Sequence, residues 1–560
     1  MGGHVNVMDD VLISNLPPAY LRSALRTLLS QGPINQRPFV EHIRARLEET
    51  PPPLTEPSKL FPSPGTSSPE CVDFLALTRC VFSSKLAGES LAYLSHFVNS
   101  IIQAHASWTP KSPLSQNLDK FAGDAVQAMQ ALKESAPEKS PKLREDLQAL
   151  LASFSSCQTY CTNSKLQYPF SRADRQVRDT LQLFFPDTAI QSLPSNADRI
   201  TVTLPPDSAI ETFTLGNRQL PRLFNGLWQL SSPAFGVGNS DQQQQKLIKL
   251  VEAGLVAADM ADHYGDAELV YGEFRNSLPP DIQPEIYAAT KWCVFKPINT
   301  RVTTEYVLAA VKERCRRLGG RVDLLQFHWY DYEAKEYLEI LHELIGITKS
   351  HPELLSAVGL CNFDAEHTEE ICKYLIDRTG EVGIVSNQVQ FSPIDTRPLM
   401  GMTQVCERYN LKLLTYGSLC GGLLTEKWLN QPPPDIYSPS NPLNPSQRKY
   451  LDMISHWGTW QEFQSLLSTL SLLATKYSVS IADVASRWVL QQPSVGAILV
   501  GTRLGISDRC ADALKVFGWN LSNVDIMAID AFAHGKGGEK LGAVYQKIGD
   551  CGQEYRGMRA

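Results

Sequence analysis

The feature that most constrains the fold is the alternation of short β-rich runs with amphipathic helical segments after about residue 200. Strands that alternate with helices are typical of parallel sheets, because parallel strands are joined by crossover helices. Eight such runs suit a closed (β/α)8 TIM barrel, which typically needs about 250 residues. A doubly wound open sheet is the alternative. The predicted strands are 223–229, 255–259, 286–291, 324–328, 357–360, 384–388, 411–416 and 497–500.

The first part of the chain has a different pattern. Apolar residues recur at helical spacing, as at Leu143, Leu147 and Leu150, and we find no convincing strand there. A Pro/Ser-rich linker without periodicity covers residues 51–70. We therefore predict an all-α helical domain over 1–195, followed by the α/β barrel over 196–560. The helical domain carries no motif for chemistry, which favours a docking or regulatory role.

Composition excludes several classes of protein. The 560 residues carry a net charge of −7, whereas nucleic-acid-binding proteins concentrate Lys and Arg. No run of apolar residues is long enough for a membrane span, and the N-terminus lacks a signal-peptide pattern. Twelve cysteines are scattered without zinc or thioredoxin spacing, as expected in a reducing compartment. We therefore predict a cytoplasmic protein that binds neither nucleic acid nor membrane.

Ionisable residues stand at the carboxyl ends of three consecutive predicted strands. These residues are Asp259, Lys291 and His328, and Tyr264 follows five residues after Asp259. Because barrel chemistry takes place at the carboxyl ends of the strands, one barrel mouth would bring the four side chains together. We predict that they form the catalytic site.

The four side chains form a coherent set for proton transfer. A tyrosine is a poor acid at neutral pH, and a nearby lysine ammonium is expected to lower its pKa. Asp259 would keep Lys291 charged, and His328 could hydrogen-bond a substrate carbonyl. Tyr264 could then protonate a carbonyl oxygen as hydride reaches the carbon. No side chain supplies hydride, so a cofactor must.

The motifs DMADHYG, ATKW and LLQFHW resemble those of the aldo-keto reductase family in the same order. The resemblance covers about residues 213–532 and implies an NAD(P)H-dependent (β/α)8 barrel with this catalytic tetrad. It implies cofactor contacts at Asn362, Gln388, Tyr416, Gly417, Ser418, Leu419, Gly501, Arg503, Arg509 and Asp512. It also implies a substrate pocket lined by Trp228, His263 and Trp329.

The cofactor preference follows from the segment VGTRLGISDRCADAL at residues 500–514. Arg503 and Arg509 are candidates for gripping a 2′-phosphate, because a guanidinium binds phosphate through two parallel bonds. This favours NADP(H) over NAD(H).

The stretch VAADMADHYGD at residues 256–266 also holds other charged residues. Asp262, His263 and Asp266 match no familiar metal-ligand spacing, so we predict no metal site. We expect these remaining charges to face solvent, with His263 near the substrate.

Three functions remain open. The first is an oxidoreductase that reduces an aldehyde or ketone, or oxidises the alcohol. The second is a cofactor-binding regulatory or scaffold protein with slow or no turnover, whose helical domain binds a protein partner or self-associates. The third is a biosynthetic enzyme whose helical half shapes or covers the pocket. The substrate would be set by the insertion at 425–460 and by the glycine-rich tail after Ala533, which we expect to be mobile.

Overall fold

The helical domain precedes the barrel, as predicted. The computed structural model describes residues 7–29, 31–135, 137–189, 200–205, 210–231, 233–236, 240–436, 443–507 and 510–557. The helices of the first region are α1 (Val7–Asn15), α2 (Pro18–Leu29), α3 (Pro33–Glu49), α4 (Pro57–Leu60), α5 (Pro69–Ser83), α6 (Ala87–Gln103), α7 (Pro113–Ser135), α8 (Pro141–Asn163) and α9 (Ser171–Phe184).

Several of these helices begin where the sequence provides a start signal. The side chains of Ser68 and Ser140 each accept a hydrogen bond from a backbone N–H in the first turn of α5 and α8. A proline follows each serine, at the position where its missing N–H costs nothing. Serine followed by proline therefore fixes where both helices start.

Aromatic side chains form the centre of the helical domain. The ring of Phe97 stacks on Phe121 with a centroid distance of 4.4 Å, and Phe121 meets Phe170 edge-on at 5.2 Å. Helix α6 packs on α8, and α7 packs on α9. Helix α2, by contrast, has no buried residue. The compact part of the domain therefore lies in its later helices.

A closed barrel follows, and the prediction of a TIM barrel is confirmed. The strands are β1 (Thr212–Leu215), β2 (Arg218–Pro221), β3 (Leu223–Gly226), β4 (Ala257–Asp259), β5 (Tyr287–Cys293), β6 (Leu324–His328), β7 (Val358–Cys361), β8 (Ile384–Gln390), β9 (Lys412–Tyr416) and β10 (Val495–Gly501). Within the described residues, eight parallel strands pair in the cyclic order β10-β3-β4-β5-β6-β7-β8-β9.

An antiparallel hairpin of β1 and β2 covers the amino-terminal end of the barrel. Leu215 and Leu220 of the hairpin are buried with Phe224 and Tyr287, which lie near the starts of their strands. A side chain at Gly496 would collide with the ring of Phe213, since a Cβ there would lie 2.3 Å away. The barrel is therefore closed at this end, and its other end holds the predicted site.

Helices surround the barrel and continue to the C-terminus. They are α10 (Ser240–Glu252), α11 (Ala267–Ser277), α12 (Thr304–Arg317), α13 (Glu336–Ser350), α14 (Ala365–Thr379), α15 (Met402–Tyr409), α16 (Pro445–Trp457), α17 (Trp460–Tyr477), α18 (Ile481–Leu490), α19 (Cys510–Ala513), α20 (Asn523–Ala533), α21 (Glu539–Ile548) and α22 (Gln553–Gly557). In the part of the chain that the structure describes, no helix has both the length and the apolar character needed to cross a membrane.

The C-terminal tail and the boundary between the two domains are the remaining features predicted from the sequence. The tail after Ala533 is not an irregular segment, because it forms α21 and α22 and buries Cys551 and Val544. Its glycines connect these short helices, as Gly549 and Gly552 do with positive φ angles. The predicted domain boundary at residue 195 lies outside the described residues.

Candidate active site

The barrel brings the four predicted catalytic residues to one mouth. Asp259 is the last residue of β4, Lys291 lies near the end of β5, and His328 is the last residue of β6. These strands are neighbours in parallel register, so their carboxyl ends meet. Tyr264 lies on the loop between β4 and α11.

Asp259 and Lys291 form a buried ion pair. Lys291 Nζ lies 2.5 Å from Asp259 Oδ2 and donates to the Met260 carbonyl at 2.9 Å. Lys291 is only 2% exposed. Burial alone would lower the pKa of Lys291, but the groups around it, first of all the Asp259 carboxylate, together outweigh burial and the net shift is upward. The ammonium therefore stays charged at the barrel mouth.

Two amides hold the other oxygen of Asp259. Gln326 and Gln388 each donate from Nε2 to Asp259 Oδ1 at 2.7 Å. A carboxylate with several donors is fixed in orientation as well as in charge. Gln326 was not predicted from the sequence, although a glutamine inside the apolar run LLQFH is a usable signal, since a buried amide needs partners.

Tyr264 lies beside Lys291. Lys291 Nζ is 5.0 Å from the centroid of the Tyr264 ring. Burial raises the pKa of Tyr264, and Lys291 lowers it by less, so the net direction is upward. Lys291 therefore acts in the expected direction, but burial opposes the phenolate more strongly than one ammonium favours it. Tyr264 is a protonated phenol at neutral pH.

His328 is neutral and has one ring nitrogen available. Burial lowers the pKa of His328 to about 4, although a hydrogen bond with the Cys361 carbonyl acts against this shift. Nδ1 lies 3.1 Å from that carbonyl oxygen, and a carbonyl can only accept, so Nδ1 carries the hydrogen. Nε2 is buried without a partner among the described residues. It therefore offers a lone pair, which suits a hydroxyl donor.

Aromatic residues surround this mouth. Trp228 follows β3 and packs against Phe235 with a centroid distance of 5.1 Å. The ring of His263 lies between Tyr264 and Phe295, at 4.8 and 5.2 Å. The predicted roles of Trp228 and His263 in substrate binding agree with this placement and stay predictions.

Trp329 is placed differently. It is 1% exposed, and its indole N–H donates to the backbone carbonyls of Asp331 and Ala334. Its ring packs near Phe327 and Tyr337. A substrate-pocket role for Trp329 stays a prediction, and these contacts favour a packing role.

The residues predicted to hold the nicotinamide lie on the next three strands. Asn362 follows β7 with a φ of 60°, and its Oδ1 accepts from the Tyr416 hydroxyl at 2.8 Å. Gln388 lies in β8 beside Asp259, and Tyr416 ends β9. An amide pair and an aromatic ring are therefore adjacent at the mouth, as a carboxamide and its ring require.

The turn after β9 fits a dinucleotide. Gly417 has a φ of 77°, and a Cβ there would lie 2.4 Å from the Tyr450 hydroxyl oxygen. Ser418 is 2% exposed, and its Oγ has no partner among the described residues. A buried hydroxyl without a partner is unusual in a folded protein and suits a phosphate oxygen. Leu419 completes this turn and is half-buried.

The predicted phosphate end is more open. Gly501 and Arg503 are exposed, and Arg503 Nε donates to the Phe235 carbonyl at 2.9 Å. Asp512 is exposed and pairs with Lys515 at 3.0 Å. Arg509 lies outside the described residues. An anchored but exposed guanidinium at Arg503 is free to meet an anion from solvent.

The C-terminal tail reaches the same mouth. Gly552 packs on the backbone of Asn362, where a Cβ would lie 2.2 Å from the carbonyl oxygen, and Arg556 donates to that oxygen at 2.8 Å. Tyr555 lies 6.3 Å from His328 and 6.5 Å from Tyr416, between ring centroids. Spacing in the sequence could not predict these contacts, because they join residues far apart in the chain.

The other charges of the loop do not face solvent, contrary to expectation. Asp266 is fully buried and pairs with Arg172 of α9. Asp262 is half-buried and pairs with Arg314 at 2.5 Å. Asp262 also lies 3.2 Å from the ring Nδ1 of its neighbour His263, but in both cases a distant arginine supplies the buried ion pair.

Three side chains near the loop lie close enough together to be considered as metal ligands. Possible ligand atoms of Asp262, His263 and Cys293 lie within 4.8 Å of one another. Asp262 already binds Arg314 and accepts from the Cys293 backbone N–H at 3.1 Å. Burial raises the pKa of the Cys293 thiol, which disfavours the thiolate. The absence of a metal site stays a prediction.

Comparison with known proteins gives one family. The model of the Aldo/keto reductase family matches residues 222–534, more than half of the chain. Chloroplastic pyridoxal reductase of Arabidopsis thaliana is 25% identical over 52% of this chain and 76% of its own length. The NADH-specific methylglyoxal reductase of Escherichia coli is 23% identical over 55% of this chain and 92% of its own length.

Two further proteins are similar in part. Flagellar radial spoke protein 5 of Chlamydomonas reinhardtii is 28% identical over 30% of this chain, and the match spans only a third of that relative. The solved structure of a glycerol dehydrogenase from Gluconobacter oxydans has 22% identity and a TM-score of 0.46, covering 57% of this chain and 94% of its own. With the barrel, its mouth and the family match together, the chain belongs to the aldo/keto reductase family of NAD(P)-dependent oxidoreductases.

Proposed function

We propose that this chain reduces an aldehyde or ketone to the alcohol, or runs the reverse reaction, with a nicotinamide cofactor. The observation that carries the proposal is the buried Asp259–Lys291 ion pair beside the protonated phenol of Tyr264. A buried charge pair at a barrel mouth is costly to form and is therefore better explained by chemistry than by stability.

The residues divide the work of proton transfer. A bound nicotinamide dinucleotide supplies the hydride. Tyr264 donates its phenolic proton to the carbonyl oxygen, and the ammonium of Lys291 stabilises the phenolate that remains. Asp259 keeps Lys291 charged and oriented, and its own second oxygen is held by Gln326 and Gln388.

His328 acts on the alcohol side of the reaction. Its Nε2 offers a lone pair, so it accepts a hydrogen bond from the hydroxyl that forms when Tyr264 gives up its proton. A neutral histidine with this tautomer orients the alcohol rather than donating to the carbonyl.

Replacing Tyr264 with Phe tests this assignment. We expect NADPH-dependent reduction of an aldehyde panel to be lost, since no proton donor remains, while NADPH still quenches tryptophan fluorescence. Tyr374→Phe is the matched control, because Tyr374 lies on α14 and stacks on Arg378 outside the site. Normal turnover by the Tyr264→Phe variant would contradict the proposal.

The proposed cofactor is NADP(H) rather than NAD(H). Arg503 supports this choice, because its Nε is anchored while the guanidinium is exposed near Gly236. Replacing Arg503 with Ala should raise the Kd for NADPH about 10-fold and leave the Kd for NADH within twofold, since only NADPH carries the 2′-phosphate. Equal losses for both cofactors would remove Arg503 from this role.

A second candidate is a cofactor-binding scaffold that acts through its helical domain. The supporting observation is the set of large exposed apolar side chains on α1–α3, with Tyr20 66% and Ile34 82% exposed. The partner we propose is a second copy of this chain. Light scattering should then give a dimer for the full chain and a monomer when residues 1–50 are removed. A monomer in both cases would reject it.

The proposed location is the cytoplasm. Among the described residues, no two of the twelve cysteines form a disulfide, and most are buried. Free thiols persist where the compartment is reducing.

A further inference from the structure

Tyr264 lies on a loop rather than on a strand. Residues 260–266 connect β4 to α11, and two local backbone bonds shape the turn, from Tyr264 N to the Ala261 carbonyl at 3.1 Å and from Ala267 N to the Tyr264 carbonyl at 3.2 Å. Side chains on loops are held less accurately than side chains on strands. The position of the phenol therefore depends on what packs against the outside of this loop.

Helix α9 of the helical domain grips the loop two residues after Tyr264. Arg172 donates from Nε to Asp266 Oδ2 at 2.9 Å and from Nη2 to Asp266 Oδ1 at 2.5 Å. This is the two-bond geometry in which a guanidinium fixes both position and angle of a carboxylate. Asp266 is 0% exposed and Arg172 is 7% exposed, so water cannot replace either partner.

Further contacts from the helical domain fall on the next peptide. Gln176 of α9 donates to the Gly265 carbonyl at 3.4 Å. Gly265 has a φ of 61°, and a Cβ there would lie 3.0 Å from Val126 of α7. Arg172 also donates to the Leu230 carbonyl at 3.3 Å, on the segment after β3. Helices α7 and α9 therefore close over the backbone that follows Tyr264.

The barrel's own support for the loop is also tied to α9. Arg317 of α12 donates to the Gly265 carbonyl at 3.0 Å. Its guanidinium lies 3.5 Å from Asp179 of α9, which also pairs with Arg316 at 2.5 Å. Asp179 is 2% exposed. Arg317 also pairs with Glu268 of α11 at 2.6 Å, so this arginine joins the loop both to the barrel and to α9.

The charges around Asp266 agree with this geometry. Burial acts to raise the pKa of Asp266, but Arg172 and the more distant Arg175 together hold that pKa below its usual value. Removing one partner of such a pair leaves an uncompensated buried charge. The link between α9 and the loop is therefore built into the fold and is not an incidental surface contact.

We propose that Arg172 and α9 position Tyr264 for proton transfer, which makes the helical domain a working part of the active site. The consequence for turnover rests on the proposed function. Arg172 is a positioning residue, because it touches Asp266 and not the substrate. An error of about 1 Å in such a group can cost about 100-fold in rate.

The first test replaces Arg172 with Met in the full chain. The kcat for NADPH-dependent reduction of 4-nitrobenzaldehyde should fall about 10- to 100-fold, while the KM for the aldehyde and the Kd for NADPH stay within twofold. Arg175→Met is the matched control, since Arg175 on the same helix pairs with Glu273 of α11 at 2.8 Å and acts on Asp266 only at a distance, through its charge. It should change none of these values more than twofold.

The second test needs no turnover. Hydrogen exchange of the backbone amides of residues 260–267, measured without cofactor, should become faster in Arg172→Met and not in Arg175→Met. If the wild-type chain reduces no carbonyl, the proposed function fails, and the exchange rates still decide whether α9 anchors the loop. Unchanged exchange in Arg172→Met overturns the inference.

The third test separates positioning from stability. The double variant Arg172→Met/Asp266→Asn removes both charges, so its Tm should recover much of what Arg172→Met loses. Its kcat should stay low, because the tether to the loop is still missing. Recovery of kcat together with Tm would show that Arg172 only stabilises the fold and would overturn the proposal.

Discussion

Two segments from opposite parts of the chain reach the mouth of the barrel, and they are attached differently. Helix α9 reaches it through carboxylates that are almost fully buried, Asp266 and Asp179. The tail reaches it through Glu554, whose side chain is 16% exposed, and through Tyr555, which is half-buried and bonded to Lys449.

The two attachments differ in how easily water can take the place of one partner of the ion pair. A buried pair has no solvent nearby, so separating its members leaves a bare charge. A partly exposed pair can exchange its partner for water at small cost. We therefore expect the tail to separate from the barrel mouth more easily than helix α9.

Loss of Asp179 should have the largest effect. Asp179→Ala leaves Lys133, Arg316 and Arg317 close together without their shared carboxylate. The expected destabilisation is about 3–5 kcal/mol, measured by urea unfolding of the full chain. Asp187→Ala is the control, since its pair with Arg144 is exposed and should be worth less than about 1 kcal/mol. Equal losses would erase the contrast between the buried and exposed attachments.

Acid should act on His328 before it acts on either attachment. The folded pKa of His328 is about 4, below the unfolded value of about 6.5. Between these pH values the unfolded chain binds more protons, so stability falls as the pH falls. Protonation of His328 should therefore reduce the free energy of unfolding by about 3 kcal/mol, at about 1.36 kcal/mol per pKa unit.

Unfolding experiments at pH 7 and pH 4 check this prediction. Burial acts to raise the pKa values of Asp266 and Glu554, but their arginine partners Arg172 and Arg397 help to hold both below the usual range, so acid breaks these pairs later than it would an unpaired carboxylate. The wild-type chain should therefore lose more stability than His328→Asn over this range. A variant that loses as much as the wild type would show that another group titrates.

Release of the tail should be easier. Arg397 binds both Glu554 and Asp395, so Glu554→Gln removes only part of its pairing, at a cost of about 1–2 kcal/mol. Trypsin should then cut faster after Lys547 of α21, and mass spectrometry of the fragments would measure the rate of this cleavage. Glu539→Gln, on the same helix, is the control. If Arg172→Met speeds cleavage at Lys547 as much as Glu554→Gln does, the tail and helix α9 are not attached independently.

The smallest effect concerns the cofactor. Tyr555 and Lys449 lie against Tyr416, with Lys449 Nζ 5.2 Å from the centre of its ring. A nicotinamide stacked on Tyr416 needs that space, so Tyr555→Ala should lower the Kd for NADPH about 3- to 5-fold, or about 1 kcal/mol. Tyr545→Ala provides a control on the same tail. A higher Kd would show that Tyr555 covers bound cofactor rather than competing with it.

Strand positions were predicted well from the sequence because their signals are local. Residues 324–328 were predicted as a strand, and the structure has Leu324–His328. Apolar runs between helices constrain these elements without knowledge of their partners.

The environment of the site was less predictable because it depends on distant partners. Asp266 was expected to face solvent, but it is buried against Arg172, which lies 94 residues away in the chain. The ion pair between Arg397 and Glu554 joins residues 157 positions apart, so no local pattern in the tail could predict it. The effect of Lys291 on the pKa of Tyr264 was expected, but the larger and opposite effect of burial depends on the whole fold.

Closure of the barrel between β3 and β10 has a consequence for how the protein is made. Leu223 pairs with Ile498, so the first barrel strand cannot form this pairing until the last strand has been synthesised. At about 5–20 residues per second, a ribosome needs tens of seconds to synthesise the chain between them. The helical domain leaves the ribosome before that interval and can fold during it, with α9 ready when the loop of Tyr264 emerges. The nascent chain therefore has a folded surface on which the half-built barrel can be held.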